Sequence, residues 1–563
     1  MSGNVGERPP FRARLAAGRF RWVTAILLAV LATGGMLVRL FWPGPVGMAD
    51  NGDGVRLMCQ SGLSPRETSH GDLYNNWAIL DYFRSPEASK NCIAYPSTTR
   101  LLMQLWAALS RFFGTAADID LRVALVAFAV FVGLLVLALC LLFRSPVRQG
   151  AAALILVLIL GDAAFADYLG SPFTETAGLI GIMGIAVTGV YVSAFRSRPV
   201  MTWIALAAFL GFAYLLVNAK TQTITTLVPI VVFLLWHVIR MTVSAVRRRS
   251  ALAGLAAAAA LVIAVTGTAG LGVSALKTYD SNPKEFAVIN PTEVIFVGIL
   301  GPSEDPAADL AEMGLPKSMA AHAGQSWWAG DNAPQADPLF DSVRDKMTYG
   351  TVAKFLMAHP ERAVGIANTA AKDFFAGRPD YLGNFTKDSG ASAAQLDTRF
   401  AIPSAVMKPL VGGGLGAFVI LSLLLCIGAI VVLRLRGPSG SRWEGIGRIR
   451  TGFAAVSLLL GTIAWVQLLT CAYGESIENT KHLVLGILAG MLSVATLIFA
   501  LMAEREPQPG LRSSSAGGED EAEDAEPGGG DSAEALHDEG AGEPEQAEAE
   551  RENAAVGTGG LDA

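Results

Sequence analysis

The amino-acid sequence predicts an all-α polytopic membrane protein with about ten transmembrane helices, interfacial helices and a small extracytoplasmic domain. Three observations carry this. Hydrophobic residues make up 52% of the 563 positions and charged residues only 16%, with a mean hydropathy of +0.43, too apolar for a soluble chain of this size. The apolar residues come in runs of about 20, the length a helix needs to cross a hydrocarbon core of roughly 30 Å. The basic residues between runs gather in alternate connections, all on one side, as the positive-inside rule requires.

Residues 1–21 hold Arg8, Arg12, Arg14, Arg19 and Arg21 and read as a basic cytoplasmic amino terminus. The run at 22–42 is long for a signal-peptide core and lacks a small-residue cleavage site before Pro43, so it is expected to stay as the first membrane helix. Residues 43–120 form a first extracytoplasmic loop. In it Leu101–Leu109, flanked by Arg100 and Arg111, is too short to span and suits a helix lying along the membrane surface. Cys59 and Cys92 share this loop; a disulfide and two free thiols are both left open.

Residues 121–275 supply membrane helices two to seven, and 276–409 a second polar section, expected as a small folded domain or a cap on the bundle. Residues 410–503 supply the last three spans. Arg144 and Arg148, Arg196 and Arg198, Arg240 with Arg247–Arg249, and the stretch from Arg434 to Arg450 all fall on the side of the basic amino terminus. Both long polar sections are therefore expected outside the cytoplasm and both termini inside. Residues 504–563 contain 18 acidic and 3 basic residues, a net of −15, so the preceding 503 carry +9 against a whole-chain −6. That tail has too little apolar mass to offset ordering entropy and is expected to be a disordered acidic cytoplasmic segment. No Walker, Rossmann, zinc or nucleic-acid motif is present, which gives ATP and nucleic acid no support as partners.

Chemistry-bearing residues gather at four places on the extracytoplasmic side. Asp50 and Asp53 follow the first span, with Arg56 three residues on. A carboxylate at headgroup level can take a proton from a hydroxyl or hold a cation beside a phosphate, although Asp-Asn-Gly-Asp also suits an ordinary turn. Glu175 opens the fourth span, where helix capping is the alternative. Lys220 and Gln222 precede the sixth span; Lys220 runs against the charge trend, which an anionic ligand or snorkelling would explain. Glu475, Glu478, Lys481 and His482 open the tenth span, the last three spaced to share one helix face.

Taken in order, Ala49–Asp53, Ser171–Glu175, Gly298–Leu300 with Met313–Pro316, Pro379–Asn384 and Glu478–His482 resemble the GT-C class of membrane glycosyltransferases, specifically bacterial hexosyltransferases of cell-surface glycan assembly. The resemblance covers about 22–502. It implies transfer of a hexose from a polyprenyl-phosphate carrier to a glycan or lipid-linked acceptor, with inversion, on the extracytoplasmic face of the bacterial cytoplasmic membrane. It implies Asp53 as general base, with Asp50 second. Lys220, Lys481 and His482 would hold the phosphate, and Arg56, Glu175, Gln222, Glu475 and Glu478 would complete the substrate site. A divalent cation, Mg or Mn, is left open. A glycan polymerase or ligase, and a transporter or flippase of lipid-linked sugars, are the alternatives.

Overall fold

A computed structural model describes residues 11–66, 73–90, 92, 95–194, 199–248, 251–434 and 448–503. The acidic tail at 504–563 and the arginines at 196, 198 and 249 lie outside the described residues.

Helix α1 (Phe11–Phe41) leads into the first loop, where α2 (Asp53–Cys59) and α3 (Thr99–Phe112) frame a three-stranded antiparallel sheet. The strands are β1 (Leu63–Pro65), β2 (Asp81–Arg84) and β3 (Ile119–Asp120), in the order β1-β2-β3. Then come α4 (Leu121–Cys140), α5 (Pro146–Leu160), α6 (Glu175–Ala194), α7 (Pro199–Val217), α8 (Leu227–Arg248) and α9 (Ala251–Asp280). The second long section contains α10 (Phe286–Glu293), α11 (Tyr349–Ala358) and α12 (Pro360–Ala376). Finally α13 (Gly414–Arg434), α14 (Arg448–Gly474), the single turn α15 (Asn479–His482) and α16 (Val484–Met502) complete the bundle.

Nine helices among the described residues are long and apolar enough to cross a membrane, or ten if one bent pair counts as a span. The protein is thus a multi-pass membrane protein. The bent pair corrects the third expected span: the run near 150–168 is two helices meeting at 56°. Asp162 causes the break. Its carboxylate accepts the N–H of Ala164, which caps the second piece, and the N–H and hydroxyl of Ser404 from the distant second section, so the chain restarts rather than continues.

Close helix contact relies on small residues, as expected where packing between apolar surfaces drives association. A Cβ added at Gly181 of α6 would stand 2.8 Å from the Leu216 backbone nitrogen of α7, so only glycine permits that crossing.

The first loop has its own core of Leu57, Met58, Leu80, Tyr82, Met103 and Trp106. Helix α3 is amphipathic as predicted, burying Met103 and Trp106 while exposing Leu101, Leu105 and Phe112, the pattern of a helix resting at a membrane interface. The loop cysteines resolve as a Cys59–Cys92 disulfide.

Of the two readings of the second section, the cap is observed. Phe296, Phe340, Phe355, Phe374 and Phe375 belong to the same buried cluster as the bundle helices, so it has no separate core. Its turn at 383–385 pairs with the start of the first loop: Gly47 N–H donates to Asn384 O at 3.0 Å and Ala49 N–H to Gly383 O at 2.7 Å. The chain just before Asp50 is thereby fixed by residues more than three hundred positions away.

Candidate functional site

The segment leaving α1 turns at Gly52, whose φ of 110° lies in the left-handed region that glycine tolerates, and enters α2 at Asp53. Asp50 sits under that turn, 2% exposed. Its oxygens accept the N–H groups of Gly52 at 2.8 Å, Gly54 at 2.9 Å and Val55 at 2.6 Å. Burial raises its pKa despite the Gly54 and Gly52 amides. Asp50 shapes the α2 entry and holds Asp53 in place. Three of its roughly four acceptor positions are given to backbone amides, a positioning role that differs from the second base that the resemblance implies.

Asp53 reaches α15. It pairs with the Lys481 ammonium in a short contact and with Arg56 at 3.4 Å. Lys481 also donates to Asn51 Oδ1 at 2.8 Å and lies 3.4 Å from Glu478 Oε2, while Asn51 Nδ2 donates to both Glu478 oxygens at 2.9 and 3.0 Å. Against burial, Lys481 and then Lys220 draw the Asp53 carboxyl down to about 2. Burial alone would lower Lys481, but Asp53 and Glu478 hold it above the ordinary lysine range. The two groups fix each other in the charged state.

Beside this pair, Lys220 Nζ lies 2.6 Å from His482 Nδ1 and 3.4 Å from Glu175 Oε1. An ammonium has only protons to give, so Nδ1 accepts. The other nitrogen, Nε2, then donates to Glu475 Oε2 at 3.1 Å. Glu175, placed by the amino end of α6 and 1% exposed, holds Lys220 charged against its burial.

These segments bound a cavity of about 400 Å³. Asp53, Arg56, Lys220, Glu475, Glu478 and His482 line it, and the cap contributes Asn282, Asn290, Glu293 and Trp328. Arg56 sits over the Trp328 ring at 5.3 Å, joining loop to cap. Every acid on the loop and bundle walls already answers a lysine, arginine or imidazole, and no cluster of three or more His, Cys, Asp or Glu suited to a metal occurs among the described residues. With these bonds made, the loop and bundle carboxylates do not fit a resident divalent cation.

A family model described as the YfdI N-terminal transmembrane domain matches residues 14–505. The chain belongs to this family. No curated protein matches it, and no solved structure does. The match covers the bundle, the first loop and the cap, so all of the cavity walls lie within the YfdI N-terminal transmembrane domain.

The ten residues singled out in the sequence fall into two groups and one outlier in this family member. Asp53, Arg56, Lys220, Glu475, Glu478 and His482 face one cavity. Asp50, Glu175 and Lys481 stand behind them, buried. Gln222 lines a neighbouring cavity of about 400 Å³; its amide donates to His482 O at 3.0 Å and Gln467 Oε1 at 3.2 Å, which fixes the turn carrying His482. Lys481 differs from expectation: with its side chain 0% exposed and its donors spent on Asp53, Asn51 and Glu478, it is a foundation rather than an open phosphate ligand. Sequence reasoning missed Asn51, Tyr95, Trp328 and Glu293. For Glu293 a signal existed, since it is the one acid inside the apolar stretch 286–300, and acids set in apolar surroundings are costly unless used.

Proposed function

We propose that this protein is an integral membrane glycosyltransferase that moves a hexose from a polyprenyl-phosphate carrier to a glycan or lipid-linked acceptor of the bacterial cell envelope. The observation that carries the reading is the convergence of four distant segments on one polar cavity at the ends of membrane-length helices. A lipid carrier keeps its chain among the helices while its phosphate stands at this level. With the long polar sections outside the cytoplasm, nucleotide sugars cannot reach the cavity and a lipid phosphate can.

Arg56 and Lys220 are the cations that face the cavity, and they hold the phosphate by charge-assisted hydrogen bonds. His482, aligned by Glu475 and Gln222, supports Lys220. Asp53 and Lys481 lock α2 to α15 and keep Arg56 at the rim. The acceptor hydroxyl attacks the anomeric carbon from the face opposite the phosphate, the carbon–oxygen bond to phosphate breaks with its electron pair leaving on phosphate, and configuration inverts. Positioning the acceptor and donor in one water-poor cavity lowers the entropic cost of their meeting.

The test uses membranes from cells with and without the gene, incubated with long-chain polyprenyl phosphates carrying radiolabelled glucose, galactose or mannose. The expected result is gene-dependent label in an envelope glycan or lipid from one of these donors. Label equal in the two membranes for every donor would reject the reading.

A further inference from the structure

The cap wall of the cavity carries a feature that the transfer scheme leaves unused. Glu293 ends α10 where the chain opens into a wider turn, with Leu300 N–H bonded back to Ile295 O. It is 1% exposed and lines the cavity. Its Oε1 accepts the Trp327 N–H at 2.9 Å, while Oε2 is buried with no hydrogen-bond partner. Asn282 Oδ1, on the same cavity, is likewise without one. Buried acceptors left open cost free energy unless a donor arrives. Two such acceptors on residues that line one cavity suit a ligand that brings hydroxyl groups.

The loop and bundle walls are different. Asp53 is held by Lys481 and Arg56, Glu475 by His482, and Glu478 by Lys481. Among the described acids of this cavity, only Glu293 has no ion-pair partner.

We propose that Glu293, not Asp53, takes the proton of the acceptor hydroxyl. The proposal rests on the glycosyl-transfer reading of the cavity. In the step, the hydroxyl proton passes to Glu293 Oε2 and the hydroxyl oxygen bonds to the anomeric carbon. The bond from that carbon to the phosphate oxygen breaks, and its electron pair stays on the phosphate. Glu293 then releases the proton to water. Asn282 Oδ1 accepts from a second hydroxyl and orients the ligand.

The electrostatics agree with this assignment. Burial holds the Glu293 carboxyl up at about 8; the Trp327 amide opposes this, and Glu475 and Glu478 add to it. Asp53 stands at about 2. A base works best when its pKa lies near the working pH. The charged and titratable groups that share this cavity with Glu293 are Asp53, Arg56 and Tyr95 from the first loop, Lys220 from the turn before α8, and Glu475, Glu478 and His482 from the turn before α16.

The experiment uses the full chain in liposomes, with the radiolabelled polyprenyl-phosphate hexoses as donor probes and membranes of the gene-deleted cells as acceptor. Transfer by wild type, E293Q, E293A and D53N is followed from pH 5 to 9. Azide is the second probe, because it is an anion that attacks carbon without a base. The expected result is that wild-type transfer rises with pH towards about 8, that E293Q lowers kcat by about 10²–10⁴ with donor KM little changed, and that this pH rise disappears. Azide restores sugar release from E293A as a glycosyl azide and does not restore acceptor transfer. If wild type transfers hexose and E293Q matches its rate and pH profile, the proposal is overturned while the glycosyl-transfer reading stands. If E293A loses transfer and azide restores nothing, the proton-acceptor role is overturned as well. If wild type transfers no hexose from any donor, the reading beneath it fails.

Discussion

Two buried ionic networks in this protein use the same side-chain types and differ in what surrounds them. The first is centred on Arg39 near the end of α1. Its guanidinium pairs with Asp167 at 2.7 Å and Asp397 at 2.8 Å, with side-chain exposures of 2%, 0% and 0%. Its Nε donates to Gly161 O at 3.0 Å, and Arg399 pairs with Asp397 at 2.9 Å. The second is centred on Lys481, fully buried, whose partners Asp53 and Glu478 are 25% and 34% exposed and face the cavity. The Arg39 network is buried at its three central side chains and ties α1, the bent third span and the cap together. The Lys481 network is closed only on its lysine side. Burial of charge alone does not mark a site; a charged group with one side paired and the other turned to a cavity does.

The contrast sorts the variants. Arg39→Leu leaves Asp167 buried without its cation, while Asp397 keeps Arg399; breaking the buried pair costs about 3–5 kcal/mol, and the detergent-purified yield and thermal midpoint are expected to collapse. Asp53→Asn keeps shape and leaves Lys481 with Asn51 and Glu478. It is expected to lower hexose transfer about 10–100-fold, the scale of one charge-assisted hydrogen bond, with a much smaller change in thermal midpoint. Equal loss of stability in the two variants would erase the distinction between the networks.

A third prediction follows from the Glu293 carboxyl, raised from 4.5 to about 8. Between these values the folded chain holds a proton that the unfolded chain has lost, so stability falls as pH rises, by at most about 1.4 kcal/mol per pH unit. Wild-type thermal midpoints measured from pH 5 to 8 should decline, and E293Q should flatten that decline. The Asp53–Lys481 pair has the opposite sign on its acid side. Its depressed carboxyl contributes stability above about 4 that is lost only as pH falls towards about 2, so D53N leaves the slope between pH 5 and 8 unchanged. The smallest effect belongs to the rim. Trp328→Ala removes a cation–π contact with Arg56 worth about 0.5–2 kcal/mol and should raise donor KM several-fold with kcat little altered.

Much of this was legible in the sequence because it depends on local pattern. Apolar runs of membrane length set the helices, and the polar mouths between them supply six of the cavity residues. What could not be read depends on pairing across the chain. Asp162 breaks a span because Ser404, 242 positions away, meets it. Lys481 looked like an open ligand, but Asp53, 428 positions earlier, buries it. Arg39 drew no attention inside an apolar run because its partners lie 128 positions away at Asp167 and further still at Asp397. Glu293 stands out in sequence as the one acid in its apolar stretch, but only the structure shows that its second oxygen is unmet.

The most direct measurement is a cryo-electron microscopy map of the purified protein with a non-hydrolysable polyprenyl phosphonate hexose. The account predicts phosphonate density between Arg56 and Lys220, the lipid chain descending among the helices, and the sugar turned towards Glu293 and Asn282. Lipid density seated elsewhere, with this cavity filled only by solvent, would contradict it.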